Sequence, residues 1–286
     1  MAAQISIVKA AGPIGAEVRG VDLGQPVDDA LFDRLRDLLH ERGVVVVRDQ
    51  NLSEAGQVAF ARRFGTLQKI LFSEHLVPGY PELFVVSNVV ENGRNIGNTD
   101  AGRFWHTDGA YLPMPHKISM LYAVEVPYRD GAPLGDTVFT GMAAAYDALP
   151  AATRQRVAGL KAVHSLVHRY ETKTGSAEEI VERTRKYPPA AHPLVVRHPD
   201  TGRPCLYLSE GYTTAIEGLE AAASRALVDE LCAHVVQPAF HYRHRWAVGD
   251  LLIWDNRQTL HKATFDYAPT ERRLMRRATV SGEAFA

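Results

Sequence analysis

The sequence predicts a mainly β protein with flanking helices, organised around an antiparallel jelly-roll core. Three observations carry this. Strand-like runs dominate the middle and the last third of the chain. Helical periodicity collects at the front and in insertions, without the βαβαβ rhythm of a doubly wound sheet. Residues 239–246 alternate cleanly, with Phe240, Tyr242, His244 and Trp246 on one face and His241, Arg243 and Arg245 on the other.

The elements follow in order. Residues 28–42 read as an amphipathic helix: Leu31, Leu35, Leu38 and Leu39 share a face, Asp28 or Asp29 caps the start, and Gly43 ends it. Val44–Val47 then reads as a strand covered on both faces, because β-branched residues run on without polar alternation. Residues 53–64 form a second helix, with Ser53 as N-cap and Gly65 beyond its end. Residues 82–88, 118–126 and 136–140 read as strands separated by turn residues such as Gly93, Pro113 and Gly131. Residues 141–149 and 151–160 are helical on either side of Pro150. Residues 176–187 form a helix with Ser176 and Glu179 at capping-box spacing, stopped by Pro188 and Pro189. Residues 192–197 and 204–208 flank Asp200 and Gly202 as a hairpin. A helix over 219–236 and strands over 239–246, 251–254 and 274–280 complete the chain.

Composition narrows the function. The chain has 286 residues, 46 % of them hydrophobic, and a formal net charge of -1. This is ordinary globular usage and excludes a disordered tail, a collagen-like fibre and a coiled-coil rod. Near-zero charge argues against nucleic-acid binding through a broad basic face. Cys205 and Cys232 form no C-x-x-C pair and do not make a disulfide scaffold. The start does not read as a signal peptide, and the apolar runs are too short to span a bilayer. A cytoplasmic protein without a membrane or nucleic-acid partner is expected.

The chemistry concentrates in three places. In Trp105-His106-Thr107-Asp108, His106 and Asp108 lie two apart, so on an extended segment both side chains point one way. An imidazole and a carboxylate side by side are two ligands for a divalent metal. With a second histidine they make the 2-His-1-carboxylate set of non-haem Fe(II) sites. In a chain of 12 histidines one His-x-Asp is by itself unremarkable. The distal candidate is His261, in a run beginning Trp254-Asp255-Asn256-Arg257; it also reads as a surface-loop histidine, with Asp255 and Asn256 as turn residues. The third place is residues 271–277. On a strand Arg273, Met275 and Arg277 share one face, and Arg272, Leu274 and Arg276 the other. Two guanidiniums on one inward face need anions, which a dicarboxylate co-substrate would supply.

These segments resemble the taurine / 2,4-dichlorophenoxyacetate dioxygenase family of Fe(II)- and 2-oxoglutarate-dependent oxygenases. The similarity runs over most of the chain. It also takes in residues 15–23, Phe60-Ala61-Arg62-Arg63-Phe64-Gly65, Gly135-Asp136-Thr137, His192-Pro193-Leu194-Val195 and Glu210-Gly211-Tyr212-Thr213-Thr214. The resemblance implies a single domain over 1–286 with a double-stranded β-helix, cupin-like core. It implies His106, Asp108 and His261 as iron ligands, and Thr137, Arg273 and Arg277 at the 2-oxoglutarate site. The division of labour between the two arginines stays open, because their segment sits one residue further from the distal histidine than in the family's best-known member. The implied reaction oxidises a C–H bond with O2 while 2-oxoglutarate becomes succinate and CO2. Halogenating relatives carry a small residue at the carboxylate position, so Asp108 points to oxidation without halogenation.

A small molecule bearing a carboxylate or sulfonate is the expected substrate. Gln68 follows Phe64-Gly65-Thr66-Leu67, where taurine-oxidising members carry a histidine, and residues 128–134 are extra chain. Segments around Ser87-Asn88 and Ser209-Glu210-Gly211-Tyr212 resemble the isonitrile-forming biosynthetic branch, which is the alternative activity. A non-catalytic small-ligand binder on the same scaffold and a metal hydrolase are the readings from other classes. Candidate pocket residues are Tyr111, His168, Arg169, Tyr170 and Tyr212. The other histidines, His116 among them, read as structural or surface residues. A homo-oligomer is compatible with the family, but no sequence feature sets its order.

Overall fold

The computed structural model describes residues 5–69, 75–168 and 177–285. Its main sheet has eight strands in the order Ser6–Lys9, Ala16–Arg19, Val44–Val47, Leu251–Asp255, Ile118–Glu125, Leu274–Val280, Tyr80–Ser87 and Leu76–Val77. All neighbours are antiparallel except Ala16–Arg19 beside Val44–Val47. At the centre of the sheet, strands from the front, middle and end of the sequence alternate, as in a jelly roll. Leu251–Asp255 lies between Val44–Val47 and Ile118–Glu125, and Leu274–Val280 lies between Ile118–Glu125 and Tyr80–Ser87. A smaller sheet, His241–His244, Thr137–Gly141 and Thr259–Ala263, faces it.

The valine run shows why the layers form. Val45 and Val47 pack in one apolar cluster with Phe32, Leu35 and Phe60 of the two front helices. Val44 and Val46 point the other way, into the space between the sheets, with Phe139, Trp246, Trp254 and Met275. A strand's period of two sends alternate side chains to two different cores. The helices Asp29–Arg42 and Glu54–Arg62 cover the outer face. Asp28 caps the first by accepting from Leu31 N, and Ser53 caps the second by accepting from Gly56 N. Gly43 ends the first at φ 69°, where a Cβ would fall 2.9 Å from Thr259 Cγ2.

Several expectations need correction. The strand expected over 239–246 pairs only as His241–His244, behind a 3-10 turn at Pro238–Phe240. Residues 192–197 are not one strand. Ala190–Pro193 pairs with Lys161–His164, and Val195–Arg197 pairs with Pro204–Leu206, so the chain changes sheets at buried Leu194. Thr259–Ala263 is a strand that local pattern did not announce. The extra chain at 128–134 folds as a small hairpin turning at Asp130 and Gly131, both at positive φ. Ser176, the expected cap of Ala177–Lys186, lies outside the described residues. Among the described residues no helix is long and apolar enough to cross a membrane.

Candidate active site

His261 sits on the inner face of Thr259–Ala263, with its ring 5.7 Å from Phe139 and 4.9 Å from Trp254. His106 joins that strand through two backbone bonds, His106 N to His261 O at 3.1 Å and His261 N to His106 O at 2.8 Å. This bridge brings together residues far apart in sequence, and their ring centroids lie 4.2 Å apart. Donor atoms of His106, Asp108 and His261 all lie within 4.8 Å of one another, and all three residues are buried. His106 Nδ1 is 2.8 Å from the Phe104 carbonyl, which can only accept. That fixes the proton on Nδ1 and leaves Nε2 bare, 3.6 Å from Asp108 Oδ1. His261 Nδ1 is buried with no hydrogen-bond partner among the described residues. This donor set, with its unsatisfied nitrogen, fits a divalent transition metal.

The carboxylate is held from behind. Ser119 Oγ donates to Asp108 Oδ2 at 2.6 Å, and Asn256 Nδ2 donates to Ser119 Oγ at 3.0 Å. Asn256 Oδ1 accepts from Asp108 N and from Trp254 Nε1. Asn256 is aimed by the turn before it, where Asp255 accepts from the Arg257 backbone and guanidinium and bonds His198. Ser119 and Asn256 were missed as site residues. The Trp254-Asp255-Asn256-Arg257 run was the available signal for Asn256. Ser119 in a buried strand carried none. Burial alone would raise the Asp108 pKa. Arg277, with Nη1 at 3.5 Å from Oδ1, and the two imidazoles outweigh it and hold the carboxyl well below its usual range. Burial and the neighbouring His106 push His261 down to about 3.

A cavity opens beside these groups, lined by Val86, Leu121, Trp254, Thr137, Arg273 and Arg277 together with His106 and His261. Arg273 and Arg277 therefore share one inward face, as their spacing predicts. Arg273 is 4 % exposed, and among the described residues no carboxylate pairs with it and its Nε has no partner. Burial without an anion lowers its pKa. Its guanidinium lies over the Trp246 ring, 5.9 Å from the centroid. Gly135 makes the room: at φ 75°, its missing Cβ would fall 3.1 Å from Arg273 Nε. Thr137 Oγ1 accepts from Trp246 Nε1 at 3.1 Å, which leaves its own O–H to donate. Arg276, on the opposite face, pairs with Glu54 and bonds the Leu52 carbonyl.

Of the expected substrate residues, Tyr212 packs edge-on to His106 at 5.9 Å and Tyr111 packs on Tyr212 at 5.2 Å. Both are beside the metal donors. His168 is half-buried, and Arg169 and Tyr170 lie outside the described residues.

Two buried histidines set a pH dependence. Burial pushes His116 down to about 4, and burial with His192 beside it pushes His164 to about 3, from an ordinary 6.5. The unfolded chain therefore takes up these protons first as pH falls. Their contribution is complete above pH 6.5 and is lost from 6.5 down to about 4 for His116 and about 3 for His164. Urea midpoints of chelator-treated protein should fall steadily across that interval.

A jelly roll with two imidazoles and a carboxylate between its sheets, next to a buried arginine with no carboxylate partner among the described residues, is the apparatus of a metal-dependent oxygenase with an acidic co-substrate. Comparison with known proteins agrees. Residues 6–279 match the family described as Taurine catabolism dioxygenase TauD, TfdA family, and the chain belongs to that family. It is 36 % identical over 282 residues to pentalenolactone F synthase of Streptomyces arenae, covering 92 % of this chain and 91 % of that protein. It is also 36 % identical over 280 residues to the alpha-ketoglutarate-dependent 2,4-dichlorophenoxyacetate dioxygenase of Cupriavidus pinatubonensis, covering 94 % and 95 %. The crystal structure of AAD-2 in complex with Mn(II) and N-oxalylglycine superposes with a TM-score of 0.83 at 31 % identity, over 98 % of this chain and 97 % of that one. The chain is thus an Fe(II)- and 2-oxoglutarate-dependent dioxygenase that uses O2. The non-catalytic and hydrolase readings fall.

Proposed function

We propose that residues 1–286 act as one catalytic domain in which His106, Asp108 and His261 hold Fe(II). Thr137 and Arg273 take the distal carboxylate of 2-oxoglutarate, and Arg277 lies at the metal end of the same cavity. The observation that carries this reading is the buried guanidinium of Arg273. It has no carboxylate partner among the described residues, and it faces one cavity with the two imidazoles. Its position beside Thr137 and Trp246, away from Asp108, supports the division between the arginines.

Bound Fe(II) and O2 supply the oxidising power that attacks a C–H bond while 2-oxoglutarate is converted to succinate and CO2. The chain's own residues orient. Arg273 and Thr137 fix one end of the co-substrate, Asp108 stays ionised beside Arg277, and the wall of Val86, Leu121 and Trp254 excludes water. The substrate is a small anionic molecule, a reading supported by the carboxylate named in the dichlorophenoxyacetate relative and by Arg277 beside the metal donors. A cytoplasmic location goes with this reading.

The test is an anaerobic titration of apo-protein with Fe(II) and then 2-oxoglutarate, followed by the visible metal-to-ligand charge-transfer band. A saturable band supports the assignment. Iron binding without a band removes the Thr137/Arg273/Arg277 assignment, and no iron binding removes the triad. In the same titration Asn256→Ala is expected to weaken Fe(II) binding by about 10- to 100-fold, because Asp108 and Ser119 lose their orienting amide. An unchanged iron isotherm would show that Ser119 alone suffices.

A further inference from the structure

Two stretches that depart from the family's spacing touch each other. One is the extra chain at 128–134, and the other is the longer run from His261 to Arg273. The extra chain leaves the main sheet after Glu125. It pairs Tyr128 with Pro133 and Arg129 with Ala132, and closes at its base through Leu134 N to Pro127 O at 2.8 Å. The Arg129 fork grips Glu271: Nε donates to Oε1 at 2.9 Å and Nη2 to Oε2 at 2.6 Å. Nη2 also reaches the Asp266 carbonyl at 3.4 Å. The next residue is held from the same side, with Arg272 Nε 2.8 Å from Glu125 Oε2 and Nη2 3.0 Å from Oε1. Two bidentate pairs of opposite polarity therefore hold the two residues before Arg273. A guanidinium and a carboxylate meet in this way only in a shared plane, so each pair sets direction as well as distance.

The grip reaches the pocket through residues 264–272. Glu271 Oε2 also accepts from Ala268 N at 2.6 Å, and Glu271 N donates to Ala268 O at 3.0 Å, so this carboxylate closes its own turn. Gly135, where the hairpin exits, donates its N–H to Asp266 Oδ1 at 2.7 Å. Tyr267 lies between these two anchors and stands against Gly135 together with Arg273. A Cβ at Gly135 would fall 3.1 Å from Tyr267 Cε1 and 3.1 Å from Arg273 Nε. Asn88 ties the end of the run to the main sheet: its Nδ2 donates to Glu271 O at 2.9 Å, and its Oδ1 accepts from Arg273 N at 2.8 Å. The Arg273 guanidinium has no carboxylate partner among the described residues, so the frame around it does the aiming.

We propose that Arg129 is a positioning residue for the co-substrate. The hairpin clamps residues 264–272, and these hold the Arg273 guanidinium where the distal carboxylate of 2-oxoglutarate meets it. Arg129 does not line the cavity and acts through Glu271. This inference deepens the reading of the 2-oxoglutarate site and rests on it.

Two keto acids test it. Fe(II)-loaded protein is titrated anaerobically with 2-oxoglutarate and with 2-oxopentanoate, and the charge-transfer band is followed. 2-Oxopentanoate has the same chain and metal-binding end but no distal carboxylate. Arg129→Ala should weaken 2-oxoglutarate binding by about threefold, the size of an exposed ion pair, and leave the affinities for 2-oxopentanoate and Fe(II) unchanged. Glu271→Gln should do the same, and the double variant should lose no more than either single one, because both remove one contact. Arg129→Lys keeps the charge without the fork and should recover part of the loss. Because the pair is exposed, KCl at about 1 M should bring wild type and Arg129→Ala towards one 2-oxoglutarate affinity. Equal weakening of both keto acids would mean a purely structural role and overturns the proposal. Unchanged 2-oxoglutarate affinity in Arg129→Ala, or additive losses in the double variant, overturns it as well while the site reading stands. If wild type forms no band, the site reading falls first and this inference falls with it.

Discussion

Replacing Asp108 with alanine is expected to lower O2-dependent succinate formation by about a thousandfold or more. That is the size of losing several kcal/mol of metal-supplied stabilisation. The reason is local. Asp108 is the sole carboxylate of the three-donor cluster, and Ser119 and Asn256 exist around it to aim its oxygens. The fold should survive. The substitution removes a buried charge whose partner, Arg277, is partly exposed and can be hydrated. Succinate release and near-UV circular dichroism, measured on one preparation, separate the two effects. Turnover that persists in both Asp108→Ala and His106→Ala would sink the triad.

Arg273→Met is expected to act in two directions at once. Affinity for 2-oxoglutarate should fall by about a hundredfold to a thousandfold, because a buried bidentate carboxylate contact is lost. The apo-protein should become more stable. Its guanidinium is buried with no carboxylate partner among the described residues, and a flexible apolar side chain of similar length fits against Trp246 and Tyr267 without that burden. Adding saturating 2-oxoglutarate to the Fe(II)-loaded proteins should reverse the order, raising the wild-type melting temperature further and leaving the variant's close to its Fe(II)-only value. A variant less stable than wild type without co-substrate would mean that Arg273 serves the fold through contacts other than an anion. An unchanged 2-oxoglutarate isotherm would remove it from the pocket.

Parts of this were legible in residues alone. The four-valine run announced a strand buried on both faces, and it separates two cores. Asp28, Gly43 and Ser53 announced the helix ends and stand there. The two-residue step in His106-x-Asp108 and the four-residue step from Arg273 to Arg277 placed each pair on one side of an extended chain, and each pair shares one site. Other parts stayed hidden. Thr259–Ala263 mixes polar and apolar residues over a short span, and only pairing with Thr137–Gly141 and the bridge to His106 makes it a strand. Ser119 is an ordinary residue until Asp108 is brought against it.

The sequence by itself therefore determined the layered β architecture, the span of the first helix and the start of the second and, through its resemblance, the family and its chemistry. Periodicity, caps and residue spacing act within a few neighbours along the chain, so they are written there. Tertiary structure alone decided that His261 reaches His106, that Arg273 is buried without a carboxylate partner among the described residues, and that Asn256 steers the carboxylate. Those facts depend on contacts between segments far apart in sequence, and only the closed pair of sheets sets those distances.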